Sequence, residues 1–421
     1  MHIDRRAGIG FALCTLVLVL AAVLRAQEFH VVDRSPDEQL YAGFARGIAK
    51  QGLAWFPRTV GQYVGDGDVE YPWVHRAGFL GLVALAQRAT GHRDPVAGEE
   101  LSIVASVLAI ALTGGLAWSL VGPLVAPLAM LLVAVSPLDL AISRRAWQDT
   151  VVELLTLALV ALVLRSVAAE RPGRSRAAFF VLGAFTLLVK ESAAIPFGLG
   201  VLVLAWDAWR RAGTWRPALV QCAWGILAGV AVLAAIVALC GGPANAVELA
   251  KRTPEAWAPD DYLREYQTGG IGYYVTGLRI LHPLPWLLGL AAAVLALLRV
   301  PFVTPTSRTP AQALQARLLA GYVLVFLTVA CVYESKNIRF LSPLYPAIAI
   351  LVALLVAAVS CAIRERAPRA VWIAALCVIV AGAAVSAVAD VRRFRHYFDE
   401  LEIEDLATPW FTKADAGTLP P

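Results

Sequence analysis

The sequence is short of charge. Only 16% of its 421 residues are Asp, Glu, Lys or Arg, where a soluble globular domain carries about a quarter. A soluble chain of this length would form two or three domains, each with a polar skin, and too little charge is present to make one. With 59% hydrophobic residues, the composition excludes a soluble enzyme, a disordered chain and a single-anchor receptor. Cysteine is sparse and unpatterned. Cys14, Cys222, Cys240, Cys331, Cys361 and Cys377 all fall in or at the end of apolar runs, and none forms a CxxC pair. The sequence therefore offers neither a zinc site nor a redox motif, and a disulfide framework is not expected. It shows no internal repeat, no inverted pair of Gly/Pro-broken spans of the transporter kind, and no low-complexity stretch beyond the Thr/Pro-rich segment 301–310. The net charge of +5 belongs to the two sides of a membrane and implies no nucleic-acid partner.

What is abundant is apolar sequence in runs of membrane length. Eleven spans of about 20 residues would account for nearly all of it. The runs are 8–24, 99–121, 124–138, 150–167, 177–189, 193–209, 217–240, 284–299, 316–333, 341–360 and 370–389. The first follows Arg5-Arg6 and ends Leu24-Arg25-Ala26 without a small-x-small cleavage site, so it reads as an uncleaved span with a cytoplasmic N-terminus. The short stretch 74–90 carries His75, Arg76, Gln87 and Arg88 and reads as a helix lying along the interface. This frame puts 15 of the 36 basic residues but only four of the 31 acids on the inside, as the positive-inside rule requires. The outside loops 27–98 and 241–283 are long and polar, and the inside loops are short. The expectation is an all-α polytopic membrane protein of about 11 spans over residues 1–390, with a short extracytoplasmic tail over 391–421 and its work done at the outer face.

Ionisable residues gather at that outer edge. In the first loop, Ser35 suits a helix N-cap, Pro36 its first position and Glu38 the third, completing a capping box. A carboxylate held ionised at a helix N-terminus also suits a general base. In the second loop, Asp149 begins a span and is either a cap paired with Arg145 four residues earlier or a functional acid. Glu153 lies a turn deeper and needs a partner. Lys190-Glu191-Ser192 must form the outer turn of a hairpin within 177–209, as an internal ion pair or as functional groups. Lys336 and Arg339 are three residues apart. On a helix they would share a face, either holding a phosphate or snorkelling to headgroups.

Five segments follow one another in order: Asp37-Glu38-Gln39-Leu40-Tyr41-Ala42-Gly43-Phe44-Ala45-Arg46, then Tyr71-Pro72-Trp73-Val74-His75 before a stretch ending Thr90-Gly91, then Arg145 to Asp149, Lys190, and Lys336-Asn337-Ile338-Arg339-Phe340-Leu341-Ser342-Pro343-Leu344-Tyr345-Pro346. Taken together they resemble the GT-C membrane glycosyltransferases, in the branch of the protein O-mannosyltransferases and the lipid A aminoarabinose transferase. The resemblance covers residues 8 to 360 and implies a GT-C-like bundle with interfacial helices in the first outside loop. It implies a catalytic base at Asp37 with Glu38 beside it, a site-shaping acid at Asp149, and Tyr41 in the same loop. Basic residues would bind the phosphate of a polyprenyl-phosphate sugar. Lys336 and Arg339 fit that role best, with Lys190, His75 and Arg76 as further candidates. The family's Lys-Pro-Pro-Leu reads Glu70-Tyr71-Pro72-Trp73-Val74 here, so its lysine is absent and the role passes to His75 or Arg76. The large C-terminal domain of some members is not expected.

The implied chemistry is one displacement. The base takes the acceptor hydroxyl's proton, the anomeric carbon inverts, and lipid phosphate leaves against cationic side chains. No cofactor is firmly required, although Asp37, Glu38 and Asp149 are the oxygen donors a magnesium-like ion would take. The partners are the lipid-linked donor, a lipid, glycan or protein acceptor, and membrane lipid, in the plasma membrane. In the 241–283 loop, Trp257, Asp260, Asp261 and Tyr262 either contact a sugar or pack the loop down, as do Trp55 and Tyr63 in the first loop. The competing function is a flippase of a lipid-linked sugar, which would place its ionisable groups nearer the bilayer midplane.

Overall fold

The computed structural model describes residues 5–27, 35–65, 69–256, 261–299, 309–403 and 405–417. Among these, all regular structure is helical, and each of the eleven apolar runs falls on helix. Eight helices are long and apolar enough to cross a membrane: Arg5–Ala26, Val96–Val121, Asp149–Ala168, Glu191–Ala212, Arg216–Leu239, Pro310–Val332, Ile338–Arg366 and Arg369–Glu400. Ala126–Ala134 and Pro137–Ser143 form a pair bent by 60°, a ninth if they are one span. The break sits where Ser136 caps the second piece and Pro137 takes its first position, since proline cannot continue the preceding helix. The other two runs are shorter helices, Gly173–Leu187 and Pro283–Leu297. The stretch 74–90 forms a 3-10 turn, Val74–Arg76, and a 14-residue helix, Ala77–Thr90. At 1.5 Å per residue that helix is about 21 Å long, short of a hydrocarbon core.

Several long helices expose apolar side chains over most of their surface. Phe11 and Leu16, Ile226 and Leu233, and Val378 and Val385 are each more than 60% exposed. Such faces suit lipid and would be a liability in water. The chain is a multi-pass membrane protein.

The chain clusters into two compact units. The first holds Met1–Asp33, Ile103–Arg144 and Tyr266–Pro421, and the second holds Arg34–Ser102 and Arg145–Glu265. In the first unit, Gly10 lies where a Cβ would meet the Pro123 carbonyl oxygen at 2.4 Å, so the opening helix packs backbone to backbone there. Near its other end Arg25 is fully buried. It pairs with Asp139 and donates to Ser106 Oγ at 2.7 Å and to the Ala134 carbonyl at 3.0 Å. This long-range pair ties the first helix to the bent pair. No local signal marks it in the sequence, where Arg25 stands out only as a poor cleavage site.

The second unit is built on the helices Asp149–Ala168, Gly173–Leu187, Ala194–Ala212 and Arg216–Leu239 around Leu159, Val163, Phe179, Phe180, Phe197, Leu204 and Ala228. Phe179 and Phe197 stack at 5.4 Å. One end is fastened by Asp207, wholly buried, which accepts from Arg176 at 2.8 Å, Arg210 at 3.0 Å and Arg211 at 2.9 Å. The first-loop helices Pro36–Gln51 and Trp55–Gly65 belong to this unit. The helix Pro243–Ala256 is strapped to Trp55–Gly65 by Arg252, which donates to the Tyr63 and Val64 carbonyls at 2.9 Å each.

Candidate active site

Two adjacent carboxylates in the first loop have opposite surroundings. Ser35 is the N-cap of Pro36–Gln51 and Pro36 its first residue, with the capping box formed. Glu38 is wholly buried. Its Oε2 accepts from the Ser35 backbone N–H at 2.9 Å and forms an ion pair with Arg145 Nη2 at 2.9 Å, and its Oε1 accepts from the Ala146 N–H at 2.7 Å. Trp147 completes the joint, donating from Nε1 to Ser35 Oγ at 3.3 Å while the Arg145 guanidinium lies 4.7 Å over its ring. A carboxylate with this many donors is an anchor. Asp37 is half-buried, and among the described residues no hydrogen bond ties it down. The positive charge of Arg76 acts on it through space.

A second set of pairs lies in the same unit. Asp149, 2% exposed, accepts from Lys190 Nζ at 2.7 Å. It does not pair with Arg145, because 144–148 is not helical and the four-residue spacing has no geometric meaning there. Lys190 sits in extended backbone at the hairpin turn, so it and Glu191 point to different partners and do not pair with each other. Glu191 accepts from Arg76 Nη2 at 3.0 Å and lies 3.8 Å from His75 Nε2. Arg76 also donates to the Tyr41 hydroxyl and stacks 4.3 Å over Trp73. Burial, helped by the neighbouring Arg76 guanidinium, pushes the His75 imidazole down to about 4, so the ring is neutral at pH 7. Tyr41 is buried against Phe79 and is held inside the loop, away from its surface. Glu153 is buried below Asp149.

In the first unit the expected helical face of Lys336 and Arg339 does not form. Residues 333–337 leave the helix, and a 3-10 segment, Ile338–Leu344, begins after Asn337 in extended backbone. The reason is local: Asn337 caps the segment, accepting from the Arg339 N–H at 3.1 Å, and Pro343 interrupts any α-helix. Lys336 is 2% exposed. Its backbone N–H donates to the Gln267 carbonyl at 2.6 Å and its ammonium to the Tyr333 carbonyl. Among the described residues no carboxylate pairs with it. Arg339 is half-buried, with its guanidinium 5.8 Å over Phe340.

Asp261 is exposed at the start of Asp261–Tyr266. Asp260 and Trp257 lie outside the described residues. Trp55 is buried against Phe44 and Phe56, a packing role. Tyr63 is half-exposed and edge-on to Tyr71. Asp37, Glu38 and Asp149 do not come together as a three-ligand group, and among the described residues no other His, Cys, Asp and Glu side chains do so.

No protein-family model matches the chain, and no curated protein does. Solved structures match it by shape. ArnT from Cupriavidus metallidurans in the apo state has a TM-score of 0.58 at 17% identity, covering 91% of this chain and 64% of that one. The same protein bound to undecaprenyl phosphate gives 0.56 at 16% identity, covering 90% and 64%. The archaeal oligosaccharyltransferase AglB from Archaeoglobus fulgidus, in complex with an inhibitory peptide and a dolichol-phosphate, gives 0.54 at 11% identity, covering 94% and 56%. This chain thus spans under two thirds of the length of each of these structures. At these identities the likeness is one of fold: this membrane protein folds like ArnT and AglB.

Proposed function

We propose that this protein is a glycosyltransferase of the plasma membrane, moving a sugar from a polyprenyl-phosphate donor to an acceptor at the outer face. The single observation that carries this reading is the sorting of Asp37 from Glu38. One carboxylate is committed to the scaffold, and its neighbour is left available beside a fixed positive charge. In the proposed reaction Asp37 takes the proton of the acceptor hydroxyl as that oxygen attacks the anomeric carbon. The carbon–phosphate-oxygen bond breaks, configuration inverts, and polyprenyl phosphate leaves as an anion. Lys336 and Arg339 stabilise the charge that develops on the phosphate. The burial of Lys336 with no carboxylate partner among the described residues supports this, because a desolvated ammonium favours a site where an anion arrives. Asp149 and Lys190 neutralise each other and shape the site, while Arg76 fixes Tyr41 and Glu191.

The test uses purified protein in detergent with radiolabelled polyprenyl-phosphate sugars and an envelope extract as acceptor. Loss of label from the lipid in the wild type, and not in Asp37→Asn, is the expected result. Lipid binding without loss of sugar, whichever donor is offered, would overturn the transferase reading.

A further inference from the structure

The C-terminal segment folds back onto the very stretch that carries Lys336 and Arg339. Within the first unit, Asp405 accepts on each of its two oxygens. Oδ1 takes a hydrogen bond from Asn337 Nδ2 at 2.8 Å, and Oδ2 takes one from Gln267 Nε2 at 3.1 Å. Those two partners flank the cations. The Asn337 side-chain oxygen caps the Arg339 N–H, and the Gln267 carbonyl receives the Lys336 N–H. The next residue adds a backbone bond, from the Ile338 N–H to the Leu406 carbonyl at 3.0 Å.

The helix Thr408–Asp415 then seals the contact. Thr408 N–H donates to the Tyr273 hydroxyl at 3.1 Å and its Oγ1 to the Tyr273 carbonyl at 2.9 Å. Lys413 donates to the Tyr266 hydroxyl at 2.6 Å, and Trp410 stacks on Tyr266 at 5.2 Å. Gly277 leaves the room for this junction. A Cβ there would lie 2.3 Å from Ile338 Cδ1 and 2.7 Å from Thr408 Oγ1.

We infer that Asp405 is a positioning residue for the lipid-phosphate site: through Asn337 and Gln267 it fixes the backbone from which Lys336 and Arg339 reach the phosphate. This rests on the reading of those two cations given above. A carboxylate suits the task because it offers acceptors on both oxygens at once, and two donors from separate segments must be held together. Asparagine would keep one acceptor and set an N–H₂ against the other donor. Alanine would leave both amides free to turn, and with them the residues they orient.

The experiment titrates undecaprenyl phosphate, and in parallel undecaprenol, against the purified full-length chain in detergent. It compares the wild type with Asp405→Ala, Asp405→Asn and Gly277→Ala, and records each variant's thermal unfolding. The wild type is expected to prefer the phosphate. Asp405→Ala should lose about tenfold in affinity for the phosphate, the scale of losing charge-assisted hydrogen bonds, with undecaprenol binding unchanged. Asp405→Asn should fall between, and Gly277→Ala should mimic Asp405→Ala by forcing Ile338 and Thr408 apart. A phosphate preference that survives in both Asp405→Asn and Gly277→Ala, whatever the fate of Asp405→Ala, would overturn the role of Asp405. Equal loss of both lipids would also overturn it, in favour of a purely structural role. A wild type with no preference would instead remove the phosphate-site reading on which the inference stands.

Discussion

In residues 34–102 and 145–265 the cations of the candidate site face carboxylates: Arg145 on Glu38, Lys190 on Asp149, Arg76 on Glu191. In residues 266–421, Lys336 is as deeply buried as any of them, yet its ammonium rests on a carbonyl. On the proposed function, the difference separates scaffold from site. A buried charge costs several kcal/mol unless it is paired. Matched pairs are therefore self-sufficient and can set the geometry of loops. An unmatched cation is tolerable where hydrogen bonds hold it and where an anion from outside can complete it. The same logic divides Glu38 from Asp37 within one turn of helix.

Breaking a matched pair should have the largest effect. Glu38→Ala removes the acceptor of Arg145, the Ala146 N–H and the Ser35 cap, and should lower stability by about 3–5 kcal/mol, read as a fall in unfolding midpoint in detergent. Next, Asp149→Asn should cost about 3 kcal/mol by stranding the Lys190 ammonium. Adding Lys190→Met should restore much of that loss, and a double-mutant cycle would measure the coupling.

A smaller effect comes from His75, whose imidazole takes its proton near pH 6.5 in the unfolded chain and near pH 4 in the folded one. In that window the unfolded chain binds the extra proton. Stability should thus fall by about 1–2 kcal/mol between pH 7 and pH 5, and His75→Gln should flatten the dependence. The smallest expected effect on stability belongs to Lys336→Met. Replacing this buried ammonium, which faces no carboxylate among the described residues, with an apolar chain of similar length should leave stability within about 0.5 kcal/mol of wild type, while affinity for undecaprenyl phosphate drops.

Much of the scaffold was legible in the sequence. The eleven apolar runs all lie on helix because hydrophobicity and length need only local information, and the capping box at Ser35 and Glu38 follows from spacing alone. The pairing of charges was not legible. Asp149 finds Lys190 across 41 positions, and Arg25 finds Asp139 across 114, so no periodic rule links either pair. The rule that linked Arg145 to Asp149, and Lys336 to Arg339, assumed helix where the chain is irregular. The tail after 390 read as a simple extension, since Asp405 becomes meaningful only once Asn337 and Gln267 are placed against it.

In the proposed reaction two neighbouring carboxylates divide scaffold from chemistry. Asp37→Asn and Glu38→Gln separate the two roles when sugar release from labelled polyprenyl-phosphate donor and the thermal unfolding midpoint are measured in the same preparations. Asp37→Asn should keep the wild-type midpoint and lose at least about a hundredfold in release rate, while Glu38→Gln should unfold at markedly lower temperature. Release at the wild-type rate by a well-folded Asp37→Asn would contradict this division of roles.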